Sequence, residues 1–147
     1  MSGHFRVFDV TASALSSELK RIEVLSTNIA NVNSTRTPEG GPYRRKEVVF
    51  ATKPMENSFE SALQGKMEEG DLEGVSIERV YDDPSPFLMK FDPTHPDAGT
   101  DGYVRYPNVN IVTEMVNLMN ASKVYGANVT VLQSIKNMIS KAFEIGR

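Results

Sequence analysis

Two histidines, His4 and His95, and not one cysteine set the limits on what chemistry this chain can do. Without cysteine there are no disulfides, zinc-thiolate sites or thiol nucleophiles. A two-histidine metal site would need His4 and His95 to meet from distant segments, so no metal site is expected. His95-Pro96-Asp97 matches the tripeptide of J-domain co-chaperones, but that motif belongs on a loop between two antiparallel helices. Here it lies between Phe91-Asp-Pro and Gly102-Tyr-Val, a turn-rich and extended stretch, so a structural turn is expected. Asp92, Asp97 and Asp101 lack the spacing of an EF-hand loop. Arg44-Arg45-Lys46 is a short basic cluster, better read as a strand or an interface contact than as a phosphate site. Gly40 and Gly41 are not followed by Gly-Lys-Ser/Thr, so there is no P-loop. No nucleophile-elbow sequence accompanies the histidines. Asn33-Ser-Thr, Asn120-Ala-Ser and Asn128-Val-Thr fit the glycosylation pattern by chance. The expectation is a protein that is not an enzyme and takes no cofactor.

The elements that would position these residues come in three parts. Over Phe8 to Val32, Phe8, Ala12, Leu15, Leu19, Ile22, Ser26 and Ile29 recur at steps of four and three, a heptad seam with a polar lapse at Ser26. Two prolines and two glycines between Ser34 and Pro42 then stop the helix. From Tyr43 to Tyr106, the runs Lys46 to Phe50, Val75 to Tyr81 and Phe87 to Phe91 look like strands, separated by Pro, Gly and Asp. Glu56 to Gly74 carries six acids against Lys66 and is expected as a mobile loop or marginal helix. After Pro107 the helical signal returns, with Asn108 or Asn110 as cap and Gly146 as stop. Its seam runs Ile111, Met115, Leu118, Ser122, Tyr125, Val129 and Leu132. An extra three-residue step follows, to Ile135, Ile139 and Ala142, which resembles a stammer. A helix from Ile111 to Glu144 is roughly 50 Å long at about 1.5 Å per residue.

The predicted architecture is therefore mainly α with a small β-rich middle. Residues 1–35 form an N-terminal helix, 36–107 the β-rich and loop-rich segment, and 108–147 a C-terminal helix. The helices are expected to form an antiparallel coiled-coil layer. Leu15, Leu19, Ile22 and Ile29 would pack on Met115, Leu118, Tyr125, Val129, Leu132 and Ile135.

Charge points to partners. The only charged residues from Ile111 to Glu144 are Glu114, Lys123, Lys136, Lys141 and Glu144, and Val24 to Thr35 has none. A solvated coiled-coil back face usually interleaves Glu and Lys. Neutral amide-rich faces enter an interface without the several kcal/mol that desolvating each ion costs. Asn28, Asn31, Asn117, Asn128 and Gln133 are the expected subunit-interface residues. Gly126 costs about 1 kcal/mol relative to Ala in mid-helix, and a close helix approach or a bend would account for it. The net charge of −3 and a pI of about 5.4 disfavour nucleic acid and anionic membranes as partners. No run approaches a membrane span, and the N-terminus has no apolar core of a secretory signal. On these features alone, a soluble helical-hairpin adaptor or oligomerisation module is the alternative to a larger assembly.

Several segments together resemble one family. Asn28-Ile-Ala-Asn31-Val-Asn-Ser-Thr35 is similar to the signature ending the first helix of bacterial flagellar rod and hook proteins. Gly41-Pro42-Tyr43-Arg44-Arg-Lys-Glu-Val-Val-Phe50 and Asp92-Pro-Thr-His95-Pro96-Asp97-Ala98 are more specific. So are Gly102-Tyr103-Val, Pro107-Asn108-Val-Asn110, Glu114-Met-Val-Asn117 and Ala121-Ser-Lys-Val-Tyr125. They resemble the FlgC family of proximal rod subunits over nearly the whole chain. Lys123, Gly126 and Gly99 depart from the usual pattern locally. The resemblance implies terminal helices paired into the inner layer of a hollow rod that transmits torque and conducts exported subunits. It implies other rod proteins and copies of the chain as partners, with a rod-to-ring adaptor at the base. It also implies export by the flagellar type III apparatus without a cleaved signal, and a place in the periplasmic part of the basal body.

Overall fold

The computed structural model describes residues 2–54 and 73–145. The elements in chain order are α1 (Ser2–Ala30), β1 (Lys46–Pro54), β2 (Glu73–Asp82), β3 (Leu88–Phe91), β4 (Tyr103–Tyr106) and α2 (Ile111–Ile145). Two long helices thus enclose a β-rich middle in sequence, as the patterning predicts. β1 hydrogen-bonds β2, and β3 pairs β4 antiparallel, with Met89 opposite Arg105 and Phe91 opposite Tyr103. The fourth strand is additional to the three expected runs. Most of the acidic Glu56 to Gly74 stretch, and Gly146, lie outside the described residues; Glu73 and Gly74 begin β2.

α2 is 35 residues long and starts where its cap dictates. The Asn110 Oδ1 accepts the Val112 and Thr113 amides at 3.0 and 3.2 Å, satisfying two N–H groups that the first turn leaves open. Asn108, the other candidate cap, is engaged elsewhere. Gly102 sits at φ +76, and a Cβ there would lie 2.8 Å from the Phe91 ring, so both backbone and packing demand glycine.

The buried lines of the helices differ from their apolar stripes. Along α2 a line of buried and half-buried positions runs through Glu114, Leu118, Ala121, Tyr125, Asn128, Leu132, Ile135 and Ile139, with Asn117 and Val129 half-buried beside it. That line keeps an unbroken four-three rhythm, and it runs beside the irregular step expected near Ile135, whose residues Val129, Leu132, Ile135 and Ile139 are also buried or half-buried. The step arises in the sequence because Glu114, Ala121 and Asn128 are polar or small, and an apolar count passes them over. On α1, among the described side chains, the buried positions are Thr11, Ser17, Val24, Leu25 and Asn28.

The chain divides into two compact units. One comprises residues 1–20, 50–78 and 122–147. There, small hydroxyls of α1 hold one residue of β2 by both its backbone groups. The Val75 amide donates to Ser13 Oγ at 3.0 Å, and Ser17 Oγ donates to the Val75 carbonyl at 3.1 Å. Larger side chains would keep the strand away. The other unit comprises residues 21–49 and 79–121. Its core contains Val24, Leu25, Tyr43, Val104, Pro107, Val109 and Ala121.

Candidate assembly site

In the second unit the end of α1, the start of β1, the end of β2 and the start of α2 meet at a buried polar cluster. Asn28 is fully buried at 0% exposure. Its Nδ2 donates to the Lys46 carbonyl at 2.8 Å and to Glu114 Oε2 at 2.9 Å. Its Oδ1 accepts the Lys46 amide and the Tyr43 hydroxyl, both at 2.9 Å. A carboxamide has two donors and two acceptor positions, and all four are filled. Toward Lys46, the side chain imitates a neighbouring strand by holding both the N–H and the C=O of one residue.

Glu114, 1% exposed, is the second anchor. Its Oε1 accepts Arg45 Nε at 2.8 Å, so each carboxylate oxygen has a donor. Arg45 also reaches Asp83 at 3.2 Å and Glu47 at 3.4 Å, and Glu47 accepts the Tyr81 hydroxyl. Burial alone would lower the Arg45 pKa, but the hydrogen bond and charge of Glu114 outweigh it and hold the guanidinium above its ordinary value. Burial raises the Tyr43 hydroxyl, with Asp82 and Glu114 adding to it. Both groups keep their protons at neutral pH, so both remain donors. Asp83 is held below the usual carboxylate range by hydrogen bonds from the Ser85 hydroxyl and amide, then by Arg45.

The basic run Arg44-Arg45-Lys46 belongs to this cluster. The Arg44 guanidinium donates to the Asp83 carbonyl at 2.9 Å and lies 4.3 Å over the Phe87 ring. The Arg45 amide donates to Asn108 Oδ1 at 2.9 Å, which is why Asn108 does not cap α2. Pro42 is half-buried, Tyr43 and Pro107 are buried, and Tyr103 is exposed. His95-Pro96-Asp97 forms a turn: the Asp97 amide donates to His95 Nδ1 at 3.1 Å, and Asp97 Oδ2 accepts the Thr35 hydroxyl at 2.8 Å. That last bond ties the turn to the segment after α1. Asp92 is lowered by the Thr94 hydroxyl and amide, and Asp101 Oδ1 accepts the Tyr103 amide, so these two aspartates serve local turns while Asp97 makes the longer tie to Thr35.

The expected interface amides divide. Asn28 does not face a neighbour: it is buried and fully bonded within its own chain, which corrects the expectation for this residue. Asn128 lies on the line of Glu114, Ala121 and Ile135 and is half-buried, as are Asn31 and Asn117; Gln133 is exposed. Of the residues expected to pack the helix pair, Ile135 is buried. Leu15, Ile22, Ile29, Leu118, Tyr125, Val129 and Leu132 are half-buried, while Leu19 and Met115 are 57% and 51% exposed. Sequence reasoning missed the inward roles of Arg45 and Glu114. The signal was present: Glu114 is seven residues before Ala121 and is the sole acid in the first turn of α2.

The outside of α2 carries large apolar side chains. Val112, Val116, Met119, Val131 and Met138 are 67%, 53%, 60%, 48% and 58% exposed. At about 1.5–3 kcal/mol for fully burying each such side chain, this surface favours association.

Comparison with known proteins agrees. Residues 8–36 match the family described as flagella basal body rod protein, and residues 100–145 match the flagellar basal body rod FlgEFG protein C-terminal family. The chain is 40% identical to the flagellar basal-body rod protein FlgC of Borreliella burgdorferi, covering 97% of each chain. It is 41% identical to that of Bacillus subtilis over 97% of this chain and 98% of the relative. Against that of Salmonella typhimurium it is 38% identical over 96% of each. The chain therefore belongs to the FlgC family of flagellar basal-body rod proteins.

Proposed function

We propose that the chain builds the proximal rod as a structural subunit, with its two terminal helices forming the inner layer of a hollow shaft. That shaft transmits torque and conducts exported subunits. The observation that carries the reading is the outer side of α2, where large apolar residues stand exposed on a helix nearly free of charge. Neighbouring rod subunits, copies of this chain or other rod proteins, cover that side. A soluble helical-hairpin adaptor is disfavoured because its outer face would carry interleaved charges.

The finer placement follows the same reading. The chain leaves the cell through the flagellar type III apparatus, meets a rod-to-ring adaptor at the base and resides in the periplasmic part of the basal body. A chain without cysteine suits passage in unfolded form into an oxidising space.

The test is a pair of charge insertions, Met119→Glu and Met138→Glu. Both positions are exposed, so the isolated protein keeps its thermal midpoint, while rods fail to assemble and cells lose motility with export of the subunit retained. Normal motility in both variants overturns the interface. Failure of a deletion strain to lose its filaments overturns the rod role itself.

A further inference from the structure

The outer face of the β3–β4 pair is a second exposed apolar surface of the second unit, besides that of α2. Strand alternation puts Met89, Phe91, Tyr103 and Arg105 on one face, and Val104, at 0% exposure, on the other. Met89, Phe91 and Tyr103 are 53%, 62% and 43% exposed, and the two rings meet edge to face at 5.2 Å. This face continues into an open cleft of about 440 Å³ between the strands and the segment after α1, with Arg36 and Arg105 on its walls. Both arginines are exposed, and among the described residues neither has a hydrogen-bond or ion-pair partner. The two wall carboxylates are engaged: Asp97 accepts from Thr35, and Asp101 accepts from the Tyr103 amide. The wall as a whole has no net charge, so its complementarity is local, at the two guanidiniums. Planar guanidinium forks without acceptors are matched to carboxylates, which they bind with two parallel bonds.

We propose that this cleft receives the acidic segment of a second copy of the chain, residues 56–73. That segment carries Glu56, Glu60, Glu68, Glu69, Asp71 and Glu73 against Lys66 alone. It also carries Phe59 and Met67, the apolar complement to Met89, Phe91 and Tyr103. Carboxylates pair with Arg36 and Arg105 while apolar side chains cover the exposed rings. The contact links one copy to the next and rests on the rod reading.

Because the chain has no cysteine, single cysteines report the contact without background. Copies bearing Arg105→Cys are co-expressed with copies bearing Glu69→Cys, and isolated basal bodies are oxidised. A covalent dimer in the mixed strain, absent from either variant alone, is expected. Intact basal bodies without that dimer overturn the proposal while leaving the rod role standing. A cross-link found only within a doubly substituted single chain also overturns it, since the segment would then fill its own cleft. Should either cysteine variant fail to assemble, purified full-length protein is titrated with a peptide of residues 56–73. Saturable binding is expected, weakened at least tenfold by Arg36→Glu with Arg105→Glu and weakened by added salt. No binding, or binding indifferent to the double variant, overturns the proposal.

Discussion

Asn28 illustrates how much one carboxamide can hold. Its four bonds join three segments, Lys46 and Tyr43 after α1 and Glu114 at the start of α2. Replacing it with Ala strands the Tyr43 hydroxyl, both backbone groups of Lys46 and one Glu114 oxygen. At about 1–3 kcal/mol for each stranded buried group, the loss should exceed about 3 kcal/mol by urea unfolding. Asn28→Asp should be worse despite its equal size, because it removes two donors and sets a carboxylate against Glu114. A smaller effect from Asp than from Ala would contradict this account. Asp83 gives a pH signature. Its folded pKa lies below the unfolded value, so its stabilising contribution is complete above the unfolded value of about 3.9. The contribution is lost as pH falls through the folded pKa. Asp83→Asn should therefore flatten the acid limb of the stability profile below about pH 4 and cost stability at pH 7. An unchanged acid limb would exclude it.

For the elements, Gly126 makes the sharpest case. A Cβ there meets nothing within 4 Å, so neither a close approach inside the chain nor a clash explains the glycine. Gly126→Ala should raise the stability of the isolated protein by about 1 kcal/mol and increase helical circular dichroism, and a loss would reveal a hidden constraint. The existence, order and approximate limits of both helices were legible from the heptad rhythm, the Pro-Gly stop after Ser34 and the cap at Asn110. The strands were legible where apolar runs met turn residues; β4, Tyr103–Tyr106, sits between the turn at Gly102 and Pro107 with Arg105 interrupting its apolar run, and did not stand out. What could not be read was which small and polar residues share the inward side of each helix with its apolar ones. Apolar counting selects Leu15 and Leu19. Burial also selects Ser17 and Asn28, because small polar side chains can approach strand backbone and bond to it, and Thr11, whose hydroxyl donates to the Val7 carbonyl of its own helix. Similarly, Glu114 counts as a surface charge until Arg45 and Asn28 arrive from segments 69 and 86 residues away.

For the whole molecule, the apolar outer side of α2 and the well-bonded interior of the second unit divide the work. The polar cluster defines one arrangement of the chain, and the exposed residues await others. Purified protein should associate in a concentration-dependent manner by sedimentation velocity, and Met138→Glu should weaken that association without lowering the thermal midpoint. A strictly monomeric wild-type chain at high concentration would count against the outer side of α2 as an adhesive surface. Separating these roles permits subunits to be well formed before they meet, while keeping the contacts between them adjustable along a growing rod.

The bond between Asn28 and Glu114 also has a consequence in time. The partners are separated by 86 residues. At ribosomal rates of about 5–20 residues per second, Glu114 appears roughly 4–17 s after Asn28. Until then Asn28 lacks one of its acceptors, and Arg45 lacks the carboxylate that holds its guanidinium. The unit therefore cannot close before Glu114 is made, which leaves an interval in which the nascent chain is still open. Loop closure over that separation must also precede the gain it brings. A clasp whose halves lie so far apart in the chain thus sets the order in which the unit can form.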